Sequence, residues 1–234
     1  MGIIARSGAD GGLVTLTLDD GKLNALDADV FREIDEAFSK AADAPGVVLA
    51  GREGVFTAGL NTKKLPELDD DGLKELLTVF GQAVMHVWTH PAPVVAACTG
   101  HAIAAGTMLA MACDHAVAAE GDFRWGLTET QIGFSLPEFG IALARANVRS
   151  DRVDDLLLPG AVVGPDVAVE VGYADELAPA GEVLARAEER AHELSALPRS
   201  AYAATKQRLR GETAERVLAG LEADVAELVA ARPG

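Results

Sequence analysis

Two glycine-rich stretches about forty residues apart, Phe56-Thr57-Ala58-Gly59-Leu60-Asn61 and Gly100-His101-Ala102-Ile103-Ala104-Ala105-Gly106, each stand where an apolar strand ends and a helix can begin. Side chains are nearly absent there, so backbone N–H groups are bare. A helix start adds unpaired donors and the positive end of its dipole. A fold holding both must join a strand end to a helix start twice, which favours winding from repeated strand and helix modules. If both turns face one oxygen they form an oxyanion hole, worth roughly 3 kcal/mol per donor toward developing negative charge.

Upstream of the first turn, residues 13–18 alternate as a strand and end at the tight-turn pair Asp20-Gly21. Asp27 is placed to cap a helix over 28–42, with Val30, Phe31, Ile34, Ala37, Phe38 and Ala41 at helical spacing, and 47–50 predict a buried strand. After the turn, the acidic stretch 65–71 predicts an irregular, mobile segment, and 73–89 a helix stopped by Pro91 and Pro93. Residues 94–98 predict a strand, 107–112 a short apolar helix and 114–119 a returning strand. From there helices are expected over 137–146, 151–158, 165–171, 182–196 and 200–228.

The 234 residues suffice for one large domain. Apolar residues reach 49% and aromatics only 5%, so the core must be made of Ala, Val and Leu, which suits helices close-packed on a sheet. The net charge of −16 and the lack of any dense Lys/Arg run argue against nucleic acid as a partner. Cys98 and Cys113 are the only cysteines, and residues 1–9 carry no signal-peptide run, which points to the cytoplasm. The richest apolar stretch is cut by His101, Asp114 and His115, so no membrane span is expected.

Four ordered motifs then stand out: Lys22-Leu23-Asn24-Ala25-Leu26, the first glycine turn, the run from Gly100 to Asp114, and Gly126-Leu127-Thr128-Glu129 leading to Ile132-Gly133. In this order they resemble the crotonase superfamily, the enoyl-CoA hydratases and isomerases, over about residues 13–206. The resemblance implies an α/β fold, a crotonase-like spiral of repeated β-β-α units with a C-terminal helical region. It divides the chain into an acyl-CoA-binding core at 1–190 and a helical oligomerisation segment at 191–234. It implies a homotrimer or a dimer of trimers, to which the stripe Val217, Leu218, Leu221, Val225 and Leu228 would contribute, although an intrachain contact gives the same stripe.

By the same resemblance, the N–H groups of Leu60 and Ala105 hold the thioester oxygen and Glu129 moves the proton. Trp125, Leu127, Ile132 and Phe134 surround Glu129 in sequence, an apolar setting that should raise its pKa. Taken on local sequence alone, a Glu flanking a loop is the plainer reading; the family match reverses it. Lys22, Ala58, Gly59, Leu60, Lys63 or Lys64, and Lys206 match CoA contacts, while Gly106, Met108 and Phe134 fall beside the acyl chain. Asn61 replaces the usual Asp. No cofactor is implied beyond the CoA of the substrate.

Hydratases of this family use a second glutamate where this chain has Met108, and a thioether neither takes nor gives a proton. A lone carboxylate suits 3,2-enoyl-CoA isomerisation better than hydration. A non-catalytic acyl-CoA binder of the same fold is the alternative. Cys98, His101, Cys113 and His115 are spaced poorly for zinc, and Met108, Leu109 and Met111 read as core or as tunnel wall. Gly-x-Ser-x-Gly, P-loop and Gly-x-Gly-x-x-Gly patterns are missing, and Glu138, at a helix start, serves the dipole more simply than catalysis.

Overall fold

The computed structural model describes residues 2–7, 12–61 and 63–232, with side chains for all of these but 2–7; the N-terminal stretch 1–9 read for targeting lies partly outside them. In chain order the elements are β1 (Gly2–Ser7), β2 (Val14–Asp19), α1 (Ala28–Lys40), β3 (Val47–Ala50), β4 (Gly54–Thr57), α2 (Asp70–Thr89), β5 (Val94–Cys98), β6 (Gly100–Ile103) and α3 (Ala105–Ala112). They continue as β7 (His115–Ala119), β8 (Trp125–Gly126), α4 (Glu138–Asn147), α5 (Val153–Leu157), α6 (Pro165–Val171), β9 (Glu176–Ala178), α7 (Val183–Ser195) and α8 (Arg199–Ala230).

Two sheets result. The larger runs β1-β2-β3-β5-β7-β9, parallel throughout except for the β1–β2 pair, and the smaller, β4-β6-β8, is wholly parallel. Three successive units, β3-β4-α2, β5-β6-α3 and β7-β8-α4, each send one strand to the large sheet and the next to the small one before a helix returns. That is the β-β-α spiral.

The strands 47–50 and 94–98 are unbroken apolar runs because both faces are covered. Val47 and Leu49 face the main core, while Val48 and Ala50 meet Val183, Ala187 and Ala191 of α7 on the other side. α1 is capped by Asp27, whose carboxylate accepts the Val30 N–H, and it buries Val30, Phe31, Ile34 and Phe38.

Two expectations are corrected. The stretch 100–103 is a strand rather than a turn, paired in parallel with β4 (Gly54↔Gly100, Val55↔His101, Thr57↔Ala102). Segment 65–71 is ordered as a 3₁₀ turn, Leu65–Glu67, followed by Asp69, whose side chain caps α2 at the Gly72 N–H, 2.8 Å away. The acids there serve the helix start, with Asp70 and Asp71 at the positive dipole end.

At the C-terminal end, the expected boundary after residue 190 falls inside α7, and α8 lies along α2 and α4 of the same chain. Val217, Leu221, Val225 and Leu228 are buried in the chain's own core, and of that stripe only Leu218 is exposed. No helix of the described residues is long and apolar enough to cross a membrane.

Candidate active site

Parallel pairing of β4 with β6 sets the two glycine turns side by side. Gly59 adopts φ +82°, and a β-carbon on it would lie 2.6 Å from the Ile103 carbonyl oxygen and 3.2 Å from the Ala104 methyl. Reciprocally, a β-carbon on Gly106 would meet Thr57 Cγ2 at 2.8 Å and its carbonyl oxygen at 2.9 Å. Each turn thus uses one missing side chain to admit the other. Asn24, buried and left-handed at φ 51°, ties the Lys22–Leu26 motif to this junction: its Nδ2 donates to the Leu18 and Phe56 carbonyls. The Thr57 hydroxyl donates to the Asn24 carbonyl at 2.6 Å and accepts the Gly59 N–H at 3.0 Å.

Leu26 N–H donates to the Gly59 carbonyl and Asn61 N–H to the Leu26 carbonyl. Successive N–H groups of an extended segment point to opposite sides, so that of Leu60 points away from Leu26. In the second turn Ala104 holds φ 52°, ψ −115°, a conformation costing an alanine about 1–3 kcal/mol. Its N–H donates to the Gly126 carbonyl at 2.7 Å and its carbonyl accepts the Met108 N–H at 3.1 Å, so α3 opens at Ala105 with a first-turn N–H that has no helical acceptor. Among the described residues, neither the Leu60 nor the Ala105 N–H has a hydrogen-bond partner. The Ala58 N–H, by contrast, is spent on the Leu23 carbonyl at 3.0 Å.

Leu60, Ile103 and Ala104 border an apolar cavity of about 110 Å³ whose single titratable side chain, among the described lining residues, is Glu129. Glu129 opens the 3₁₀ turn Glu129–Ile132, which ends at Gly133 in the left-handed region; the Phe134 N–H donates to the Glu129 carbonyl at 3.0 Å and turns the Phe134 ring into the same cavity. Gln131 anchors the turn to the Gly160 carbonyl at 2.7 Å. Glu129 Oε2 is enclosed and has no hydrogen-bond partner, and burial pushes the carboxyl up to about 7 from an ordinary 4.5. Tyr173, which the sequence reading passed over, is fully buried with an unpartnered hydroxyl. Its pKa is raised to about 12 by burial first and by the charge of Glu129 second.

A second, polar cavity of about 460 Å³ carries Lys22, Lys63 and Lys64 with Asp20, Asp27 and Asn61. Lys64 is paired with Asp27 at 2.8 Å, leaving Lys22 and Lys63 as the cations of this cavity without an ion pair among the described residues. Ala58 and Leu60 line both cavities and are the threshold between them.

The expected ligand contacts of Lys206, Met108 and Gly106 do not survive the geometry, whereas Glu138, His101 and the two cysteines take the ordinary structural places expected of them. Lys206 is 5% exposed, and its ammonium donates to the His90 and Ala92 carbonyls and to Asp114 Oδ2 at 2.7, 2.8 and 2.6 Å, so its three protons are spent internally rather than on a phosphate. Met108 is fully buried, and its Cε fills the space over Gly140, where a β-carbon would stand 2.9 Å away; it belongs to the α3–α4 packing and lies outside the cavity lining. Gly106 is likewise covered by Thr57 and has a packing role. Glu138 sits exposed at the first turn of α4. His101 Nδ1 accepts the Arg124 N–H at 3.1 Å and its ring meets Phe123 edge-on, an ordinary hydrogen-bonded histidine. The thiols of Cys98 and Cys113 are buried, which raises both pKa values.

This arrangement has known counterparts. The sequence model of the enoyl-CoA hydratase/isomerase family matches residues 8–231. A Thermus thermophilus relative named as an enoyl-CoA hydratase is 33% identical over 201 residues, 82% of this chain and 77% of the relative. An apo structure of an enoyl-CoA isomerase from Mycobacterium tuberculosis is 29% identical with a TM-score of 0.89, covering 96% of this chain and 98% of that one. Human mitochondrial Δ3-Δ2-enoyl-CoA isomerase, 24% identical, shares the fold with a TM-score of 0.93 over 97% of this chain and 90% of its own. With its β-β-α spiral, its paired glycine turns and a family match over nearly its whole length, the chain belongs to the enoyl-CoA hydratase/isomerase family of the crotonase superfamily.

Proposed function

We propose that, within this family, the protein is a 3,2-enoyl-CoA isomerase. The observation that carries this reading is the lone carboxylate: Glu129 is the single titratable group of the described cavity lining, and the side chain at the other glutamate position, Met108, is packed against Gly140. The thioester oxygen sits between the Leu60 and Ala105 N–H groups, and CoA runs over Ala58 into the polar cavity toward Lys22 and Lys63. The Glu129 carboxylate takes a proton from C2, the electrons move into a dienolate whose oxygen the two amides hold, and the resulting carboxylic acid returns the proton at C4. The double bond moves from C3 to C2 with no net change of atoms. A pKa near 7 fits a group that must both accept and donate at neutral pH.

CoA enters with the substrate and no further cofactor takes part. The enzyme works in the cytoplasm, in keeping with its two buried free thiols. It assembles as a homotrimer or a pair of trimers, with residues 191–234 contributing the outward-facing Leu197, Leu209 and Leu218, which are 50%, 76% and 43% exposed. Incubation with 3-hexenoyl-CoA and, separately, crotonyl-CoA is the test. Conversion of the first to 2-hexenoyl-CoA without hydration of the second is expected. Hydration of crotonyl-CoA at a comparable rate would refute the isomerase assignment, and tight binding with no turnover of either would make the protein a binder.

A further inference from the structure

The apolar cavity beside Glu129 ends against the chain's own last helix. Ala58 and Leu60, shared with the polar cavity, and the exposed Ile132 and Ser135 mark its open sides, whereas the buried Leu77 and Phe80 from α2 and Leu228 from α8 line the apolar cavity alone. α2 and α8 pack along one another, and all three side chains are buried, so this wall is continuous with the core. Phe80 cannot swing aside: its ring stacks on Phe31 at 4.4 Å between centroids and meets Phe139 edge-on at 4.7 Å. A dry cavity of about 150 Å³ lined by Leu, Ile and Phe accommodates one benzene. The 110 Å³ available here is smaller still.

We propose that the protein selects short-chain enoyl thioesters, up to about six carbons, and that Leu228, backed by Phe80 and Leu77, is the stop that sets this limit. The proposal rests on reading the cavity as the acyl site of an enoyl-CoA enzyme. Selection falls on the acyl group because the polar cavity that takes CoA is roomy and common to every substrate length. The C-terminal helix therefore acts in substrate choice from within its own chain.

The full-length protein is titrated calorimetrically with butyryl-, hexanoyl-, octanoyl- and decanoyl-CoA, and kcat/KM is measured for 3-hexenoyl- and 3-decenoyl-CoA. In a site without a stop, each added buried methylene tightens binding about fourfold. Affinity is expected to rise from butyryl to hexanoyl and then to fall at least about tenfold by decanoyl, with a similar fall in kcat/KM. Leu228→Ala should bring decanoyl-CoA to within about threefold of hexanoyl-CoA. Affinity that climbs without a break through decanoyl-CoA overturns the proposal, as does a cooperatively unfolding Leu228→Ala protein with the wild-type length profile. If Leu228→Ala does not fold, Leu228→Val takes its place, and the wild-type profile by itself still decides. A length limit in binding without turnover of any substrate sustains this inference while the isomerase reading fails; turnover without a length limit does the reverse.

Discussion

Gly59 faces the carbonyl oxygen of Ile103 so closely that a β-carbon would stand 2.6 Å from it, and this contact locks the end of β4 to the end of β6. Because Leu60 follows the first residue and Ala105 lies two beyond the second, the spacing of the two unpartnered amides depends on it. Gly59→Ala adds both the clash and the strain of φ +82°, and should cost about 2–3 kcal/mol of stability. On the proposed isomerase reading, kcat/KM should fall by about a hundredfold or more as the donors separate. Thermal unfolding and steady-state kinetics on the same preparation check both; full activity in the folded variant would detach the junction from catalysis.

Glu129→Gln keeps the shape of the cavity but removes the proposed proton carrier. Turnover should drop by about 10²–10⁴-fold while the affinity for hexanoyl-CoA changes little. A loss of affinity as large as the loss of rate would assign Glu129 to binding.

The raised pKa of Glu129 has consequences of opposite sign for rate and stability. In the proposed isomerisation the Glu129 carboxyl must be ionised to accept the C2 proton, so kcat/KM should rise with pH through about 7 and level off above it. Folding favours the neutral carboxyl, so its contribution to stability is complete below the ordinary value of 4.5 and is lost as pH rises through about 7. Glu129→Gln lacks this loss and should exceed the wild type by about 2–3 kcal/mol at pH 8 while matching it near pH 4. Chemical denaturation at the two pH values gives the difference directly.

Lys206 joins α8 to the 90–92 segment and to Asp114, whose other oxygen takes Arg210 at 2.7 Å. Lys206→Met leaves Asp114 buried with one partner fewer and takes a donor from the His90 and Ala92 carbonyls, a loss of about 2–4 kcal/mol. KM for an enoyl-CoA should stay within about twofold at temperatures where the variant is folded. A KM increase with unchanged stability would return this lysine to CoA binding.

Met108→Leu conserves volume over Gly140 and should cost less than about 1.5 kcal/mol, with acyl-CoA affinity unaltered. Calorimetric titration with hexanoyl-CoA is the check, since a thioether in contact with the acyl chain would make the exchange visible there.

Long periodic segments were readable because local patterning and burial agree in them. The helix over 165–171 has the same limits in sequence and structure, and Asp27 caps α1 as its position implies. The strands 47–50 and 94–98 show as apolar runs because the parallel sheet is covered on both faces. By contrast β6 (Gly-His-Ala-Ile) and β8 (Trp-Gly) are strands of four and two residues, too short for a period, and the pairing of β6 with β4 and with β8 exists only once the spiral closes.

The same division holds at the site. Sequence alone determined the bare backbone of the two glycine-rich stretches, though not that 100–103 is a strand, together with the apolar neighbourhood of Glu129 and the absence of a carboxylate at Met108, because each is a property of residues adjacent in the chain. Tertiary structure decided what depends on distant partners. Lys206 is consumed by Asp114, 92 positions away, Met108 is turned to Gly140 rather than to the cavity, and Leu228, from the far end of the chain, lines the apolar cavity beside Glu129. A side chain's type is written locally, whereas its burial, its pKa and its free hydrogen-bonding capacity are set by what the fold places against it.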